Sequence, residues 1–299
     1  MIKKLLFFQS KKQIATRNQY HNWWTQENEN GWLERFSRHR DIPRLNFSSV
    51  FGDRNSIKVK GKHVFFSCEN LTDRFTEYSD HLEGIADLRV GFDYNQDSNY
   101  LRFPLWLMYY TDPESKSPGL NFVKLMNREW RGPRPISCSL IARHDNRGNG
   151  AGYREKAGHA FEAITQVQYA GAFKNNSKAL KRDYDNHTNY YLRDCLFNIC
   201  LENSNNAGYV TEKIWRPILN GAIPIYWGSD LKPEPEVLDS RAFISFNPDN
   251  PDECISQVEP LLSNHNLWEQ FVNQNRTTPN AADWIDNKLE EFEARLKSI

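Results

Sequence analysis

Residues 190–230 read YYLRDCLFNICLENSNNAGYVTEKIWRPILNGAIPIYWGSD, and the order of apolar and polar blocks within them decides the fold. The run 195–201, CLFNICL, is short, β-favouring and bounded by polar residues, which predicts a buried strand. A polar loop, 202–208, follows it. Thr211, Glu212 and Lys213 then open a helix whose apolar positions Ile214, Trp215, Ile218 and Leu219 fall on one face. Asn220-Gly221 supplies the left-handed conformations that end a helix, and 222–227, AIPIYW, is a second strand with Pro224 near its start. Strand, loop, helix and strand make a βαβ unit whose connection is right-handed.

Parallel sheets of this kind bind ligands at the carboxyl ends of their strands, which is where 202–213 lies. A helix N-terminus offers free amides and a partial positive charge, so an anionic group such as a diphosphate suits it, with Lys213 as a mobile cation beside it. A plainer reading stands next to this one: Tyr209 as a hydrophobic staple, and Glu212 and Lys213 as a solvated first turn.

The blocks ENS (202–204), YVTEK (209–213) and IPIYWGS (223–229) stand in the order and spacing of a known donor-binding signature. The stretch closely resembles that of the α1,3-fucosyltransferases, glycosyltransferase family 10. The resemblance implies that Asn203 and Tyr209 meet the diphosphate or sugar of GDP-fucose, that Glu212 meets the ribose or the fucose, and that Lys213 meets the diphosphate.

Working back toward the N-terminus, 63–68, HVFFSC, reads as a strand with Glu69 at its carboxyl end. A lone carboxylate there is more often a cap or a surface charge than a catalyst. Cys68-Glu69-Asn70 nevertheless resembles the family's strand-ending G-E-N, which makes Glu69 the general base. Cys68 replaces a frequent glycine, a change that reads as sterically mild. Phe66 stands where the family can carry a tyrosine, so it joins the donor-site candidates without a hydroxyl. Downstream, ADLRVGFD (86–93) and YLRFPL (100–105) resemble the family's A-x-G-F-D and R-Y-L-R-x-P-L segments, with Arg102 expected to pair with a carboxylate.

The turn-rich RGPRP at 131–135 marks a domain boundary, after which 136–142 begins a new strand. The loop RHDNRGNGAGYR (143–154) carries glycine at alternate positions, which suits close approach of backbone to a phosphate and equally suits a flexible turn. By resemblance Arg154 meets the diphosphate from the helix that follows, 153–166. Arg147 is its rival, because this loop is long and Arg143-His144 replaces the family's S-N turn. Asp183-Tyr184-Asp185 matches a metal-chelating D-x-D but lacks the apolar strand such a motif terminates, so it reads as a coincidence.

A chain of 299 residues accommodates two ordinary domains, each with its own core. Only 39% of residues are hydrophobic, so the 9 Trp, 13 Tyr and 18 Phe supply much of the interior. Trp23, Trp24 and Trp32 fit either a core or an acceptor cleft, and 4–8 reads as a first strand. Arg35, Arg38, His39, Arg40 and Arg44 read as a solvated basic cluster. The 38 Lys+Arg balance 38 Asp+Glu, which argues against a general nucleic-acid or membrane-surface binder and makes any anion site a local feature. No run approaches the roughly twenty apolar residues of a membrane span, and 1–9 is too short for a secretory signal. Five cysteines without a C-x-x-C pair indicate reduced buried thiols, and hence a cytoplasmic protein, with peripheral membrane contact left open.

These readings assemble into an α/β protein of GT-B architecture. The expected division is 1–132 as an acceptor-binding Rossmann-like domain, 133–282 as the GDP-fucose-binding one, and 283–299 as a helix returning to the first. The resemblance implies inverting transfer of L-fucose from GDP-β-L-fucose to the 3-OH of GlcNAc or Glc in an acceptor of the N-acetyllactosamine or lactose type. No metal is obligatory, with Mn²⁺ or Mg²⁺ as a stimulant. Three alternatives remain: a relative using another nucleotide sugar or hydroxyl, a glycoside hydrolase with Glu69 and Glu202 as its carboxylate pair, and a non-catalytic glycan-binding protein.

Overall fold

The computed structural model describes residues 14–16, 31–51, 54 and 61–299. The strand expected at 4–8 and the residues Trp23 and Trp24 lie outside the described residues. Two five-stranded parallel sheets organise the chain. The first runs in sequence order through β1 (Ile14–Thr16), β2 (Leu45–Ser48), β3 (His63–Phe66), β4 (Leu88–Gly91) and β5 (Tyr100–Arg102). The second contains β6 (Ile136–Leu140), β7 (Val167–Tyr169), β8 (Cys195–Ile199), β9 (Ile223–Tyr226) and β10 (Ile244–Ser245), in the order β10-β9-β8-β6-β7. All pairings in both are parallel.

The CLFNICL run forms β8, and β9 follows it across a helical connection. Pro224 is tolerated at the second position of β9 because β10 pairs only from Ile225 onward, so the ladder on that side needs no donor from it. The chain leaves β6 toward β7 and then returns to place β8 on the other side of β6. That reversal opens a crevice at the carboxyl ends of β6 and β8, the place where open parallel sheets take ligands.

Helices cover both sheets. The first half carries α1 (Trp32–Ser37), α2 (Trp106–Tyr110) and α3 (Pro118–Met126). The second carries α4 (Tyr153–Glu162), α5 (Ala179–Arg182), α6 (Thr188–Arg193), α7 (Glu212–Ile218), α8 (Pro251–Ser263) and α9 (His265–Asn273). The chain then crosses back in α10 (Ala281–Ser298), whose buried Ile285, Leu289, Phe292 and Leu296 form one apolar stripe. Phe292 stacks on Phe103 at 4.4 Å and lies 5.4 Å from Phe36, so this helix completes the core of the first half.

Trp32 belongs to that same core, fully buried and stacked on Phe36 at 4.8 Å, which settles its place away from any cleft. The two halves are also joined by rings: Trp215 of α7 meets Trp106 of α2 at 4.5 Å and Phe122 of α3 at 5.5 Å. The basic cluster expected to be solvated is instead largely paired. Arg35 reaches Asp112 and Glu114, Arg38 reaches Glu114, and Arg40 reaches Glu293 of α10.

Candidate active site

The crevice at the switch point is a cavity of about 240 Å³ lined by residues that follow β6, by the end of β8 and by the start of α7. Five of its lining side chains, Arg143, Arg147, Arg154, Lys213 and Arg216, are cationic and one, Glu212, is acidic. A chain of zero net charge has thus gathered a strong local excess of positive charge, the electrostatic signature of an anion site. His144 registers it: a little desolvation, then Arg147 and Arg143, hold its imidazole below the usual value.

Arg154 is buried at the first turn of α4 and tightly held. Its guanidinium donates to the carbonyls of His144 and Leu201, each at 2.9 Å, and to Asn203 Oδ1 at 2.8 Å. Asn203 is therefore oriented by Arg154, and the two candidates form one unit on the cavity wall. Arg147, its rival, lies exposed at the rim. Gly148 and Gly150 are required by packing within the protein itself. A side chain at Gly148 or Gly150 would run into the backbone of Asn203, and Gly150 N–H donates to that same carbonyl at 3.2 Å. They seat the loop against the ENS segment, and Asp73 of the first half holds it by accepting from Asn149 N–H at 2.5 Å.

Glu202 bears on two of the readings above. Its side chain is wholly buried and accepts from Thr211 N–H and Thr211 Oγ1 at 2.9 Å and from Lys213 Nζ at 2.6 Å. The anion at the start of α7 is thus the chain's own carboxylate. The cavity's remaining attraction for a phosphate comes from side chains more than from the terminus of this helix. A carboxylate so enclosed and so fully engaged is also no partner for Glu69 in a hydrolase. Lys213 stays charged: burial opposes it, but Glu202 and Glu212 outweigh burial and raise its pKa.

Glu212 lines the cavity, and Arg216 stands one helical turn beyond it with its guanidinium 4.0 Å away. Burial opposes ionisation of Glu212, yet Lys213 and Arg216 hold its pKa below the usual carboxylate value. Arg216 was absent from the sequence-based candidates, although its i+4 spacing from Glu212 on an already singled-out helix was a usable signal.

Glu69 approaches from the other half. It follows β3, and its carboxylate accepts a hydrogen bond from the Tyr209 hydroxyl at 3.2 Å, with Arg74 3.9 Å away. Burial raises its pKa, partly offset by Arg74, Lys213 and the Tyr209 hydrogen bond. Tyr209 itself is buried, edge-on to Phe92 at 4.9 Å, so its hydroxyl is aimed by packing. The neighbouring motif residues meet as well: Asn70 Nδ2 donates to Ser204 Oγ at 2.8 Å. Arg102 pairs with the buried Glu234 at 2.9 Å, again across the halves.

Two readings around Glu69 need correction. Cys68 adopts φ +59°, the left-handed region, so replacing a glycine there carries backbone strain of about 1–2 kcal/mol and is not mild. Phe66 is fully buried in the first-half core, edge-on to Phe103 at 6.4 Å. Its strand is central and covered on both faces, which removes it from the donor-site candidates. Asp183 pairs with Arg182, and among the described residues no group of three or more His, Cys, Asp or Glu is placed to hold a metal ion.

Two facing parallel α/β halves, a cationic crevice at the switch point of one and a carboxylate presented by the other define the GT-B class. Within it, the chain belongs to glycosyltransferase family 10. The family's C-terminal model, described as glycosyltransferase family 10 (fucosyltransferase), matches residues 138–291, and the α-(1,3)-fucosyltransferase FucT N-terminal domain matches 18–109. The chain is 26% identical over 269 residues to α-(1,3)-fucosyltransferase FucT of Helicobacter pylori, covering 77% of this chain and 51% of that protein. It is 26% identical over 181 residues to α-(1,3)-fucosyltransferase B of Drosophila melanogaster, covering 58% and 40%. The chain thus spans about half the length, or less, of these curated relatives. A crystal structure of an α1,3-fucosyltransferase with GDP-fucose superposes over 95% of this chain and 90% of its own, at a TM-score of 0.59 and 22% identity, which establishes the shared fold.

Proposed function

We propose that this chain transfers L-fucose from GDP-β-L-fucose to the 3-OH of a GlcNAc or Glc unit, with inversion at the anomeric carbon. The observation that carries this is the meeting of Glu69 with Tyr209 at 3.2 Å, across the halves and beside the cationic crevice. Glu69 takes the proton from the acceptor hydroxyl as that oxygen bonds to the anomeric carbon. The bond from this carbon to the β-phosphate oxygen breaks, and GDP leaves with the electron pair. A carboxylate whose pKa burial raises above its usual value is a stronger base and is suited to that proton transfer. Charge developing on the leaving diphosphate is met by Arg154 and Lys213, which are already oriented and need no reorganisation.

The assignments give Asn203 and Tyr209 to the diphosphate or sugar, Glu212 to the ribose or fucose, and Arg216 a supporting charge beside it. Charge neutralisation falls to side chains, with Mn²⁺ or Mg²⁺ as a stimulant and not a resident ion. The reading also places the chain in the cytoplasm, supported by five buried unpaired thiols. The names of the relatives support the fucose donor and the α1,3 linkage.

The test is transfer from GDP-fucose to N-acetyllactosamine and lactose by wild type and Glu69→Ala, with GDP affinity measured on both. Wild type should form product, while the variant should bind GDP normally and lose at least about a hundredfold in rate, the range of a general base. A variant that keeps its rate removes Glu69 from the chemistry. A wild type that binds no GDP overturns the donor site.

A further inference from the structure

Beside the donor cavity lies a second groove, of about 510 Å³, that the roles above leave unused. One wall is the end of α2, with Tyr109 and Tyr110, and the other is the start of α6, with Asn189 and Tyr190. The walls come from opposite halves. The groove shares Thr188 and Arg216 with the donor cavity, so the two spaces adjoin.

Tyr109 is 41% and Tyr190 55% exposed, an unusual state for large rings in a chain that buries most of its aromatics. Neither ring is loose. Tyr109 sits 6.2 Å from Tyr110, whose hydroxyl donates to the Glu212 carbonyl at 3.2 Å. Tyr190 is flanked by the His187 ring at 5.6 Å and the Arg193 guanidinium at 5.0 Å. Partly exposed rings on two walls, with the amides of Asn186 and Asn189 and the guanidiniums of Arg193 and Arg216 in the lining and no carboxylate among them, match a pyranose. Such a ring presents a C–H face that packs on an aromatic plane and an edge of hydroxyls that pairs with amides. The hydrogen bond from Tyr110 to the Glu212 carbonyl ties the Tyr109 wall to the start of α7, which lines the donor cavity.

We propose that this groove is an acceptor subsite, a platform for the neutral pyranose linked to the one that receives fucose. The inference rests on the fucosyltransferase reading. A nucleobase is the rival occupant, but Ile141, Leu192 and Ile199 already give the donor cavity apolar walls for it.

The test uses the full chain and Tyr190→Ala, comparing KM and kcat for N-acetylglucosamine and N-acetyllactosamine together with the Kd for GDP. Loss of one aromatic platform should raise KM for the disaccharide about five- to tenfold. The KM for the monosaccharide, kcat and the GDP Kd should stay within about twofold, inside ordinary scatter for a site not touched. An equal rise for both sugars, or none, overturns the subsite, and a weakened GDP Kd hands the groove to the nucleotide. If wild type transfers to neither sugar, saturation-transfer NMR of the disaccharide on the GDP-loaded protein reads the groove directly. A signal lost in Tyr190→Ala then supports the groove while the transfer reading fails; an absent or unchanged signal overturns the groove.

Discussion

Glu69 is held between opposing influences. Enclosure raises its pKa, while Arg74, Lys213 and the Tyr209 hydroxyl pull it down. The proton acceptor must be ionised, so activity falls as pH drops through this pKa. Arg74→Met removes one stabiliser of the ionised form, raising the pKa and moving the acid limb of the kcat/KM profile to higher pH. The rate on the alkaline plateau should be preserved, since Arg74 stands 3.9 Å from the carboxylate and is proposed to touch no reacting atom. A profile that does not move, or moves to lower pH, would show that another group sets the limb. At this scale the sequence was readable by resemblance: the CEN block marked Glu69 and YVTEK marked Tyr209 as a donor contact, while the hydrogen bond between the two belongs to the fold alone. The left-handed turn at Cys68 was not readable, because a cysteine carries no conformational signal; only the glycine it replaces hinted at one.

At the scale of elements, α7 depends on Glu202 more than on its own sequence. Among the described partners, Thr211 N–H, Thr211 Oγ1 and Lys213 Nζ all converge on this one carboxylate. Glu202→Ala leaves a buried amide and a partly buried cation without it and should destabilise the protein by about 3–5 kcal/mol in chemical denaturation. Glu202→Gln retains shape and some hydrogen bonding, and should lose about 1–2 kcal/mol. Near-equal losses would mean that the ion pair contributes nothing beyond its shape. Strand β8, helix α7 and strand β9 were legible because short bounded apolar runs and a period-3.6 pattern are local signals. The clamp was not, since it joins a loop residue to a helix start through the folded chain, and ENS alone reads as polar loop. Phe66 misled because it was carried over from a family position that can hold a tyrosine; without the hydroxyl, a phenylalanine in a central strand with both faces interior is core.

Over the whole molecule, the two halves are fastened by the rings of Trp106, Trp215 and Phe122, by polar pairs along the cleft, and by α10 crossing back. Phe292→Ala should cost about 3–5 kcal/mol, read by denaturant unfolding of the full chain. The loss should appear as one cooperative shift if the halves share a core, and as an early separate transition if they do not. The helix crossing also sets a timetable for biosynthesis. Residues 32–103 leave the ribosome long before Phe292 and Leu296 are made, yet they need those side chains to close their core. The half that is made first is therefore finished last, and until then its exposed aromatic interior is the surface on which a chaperone would act.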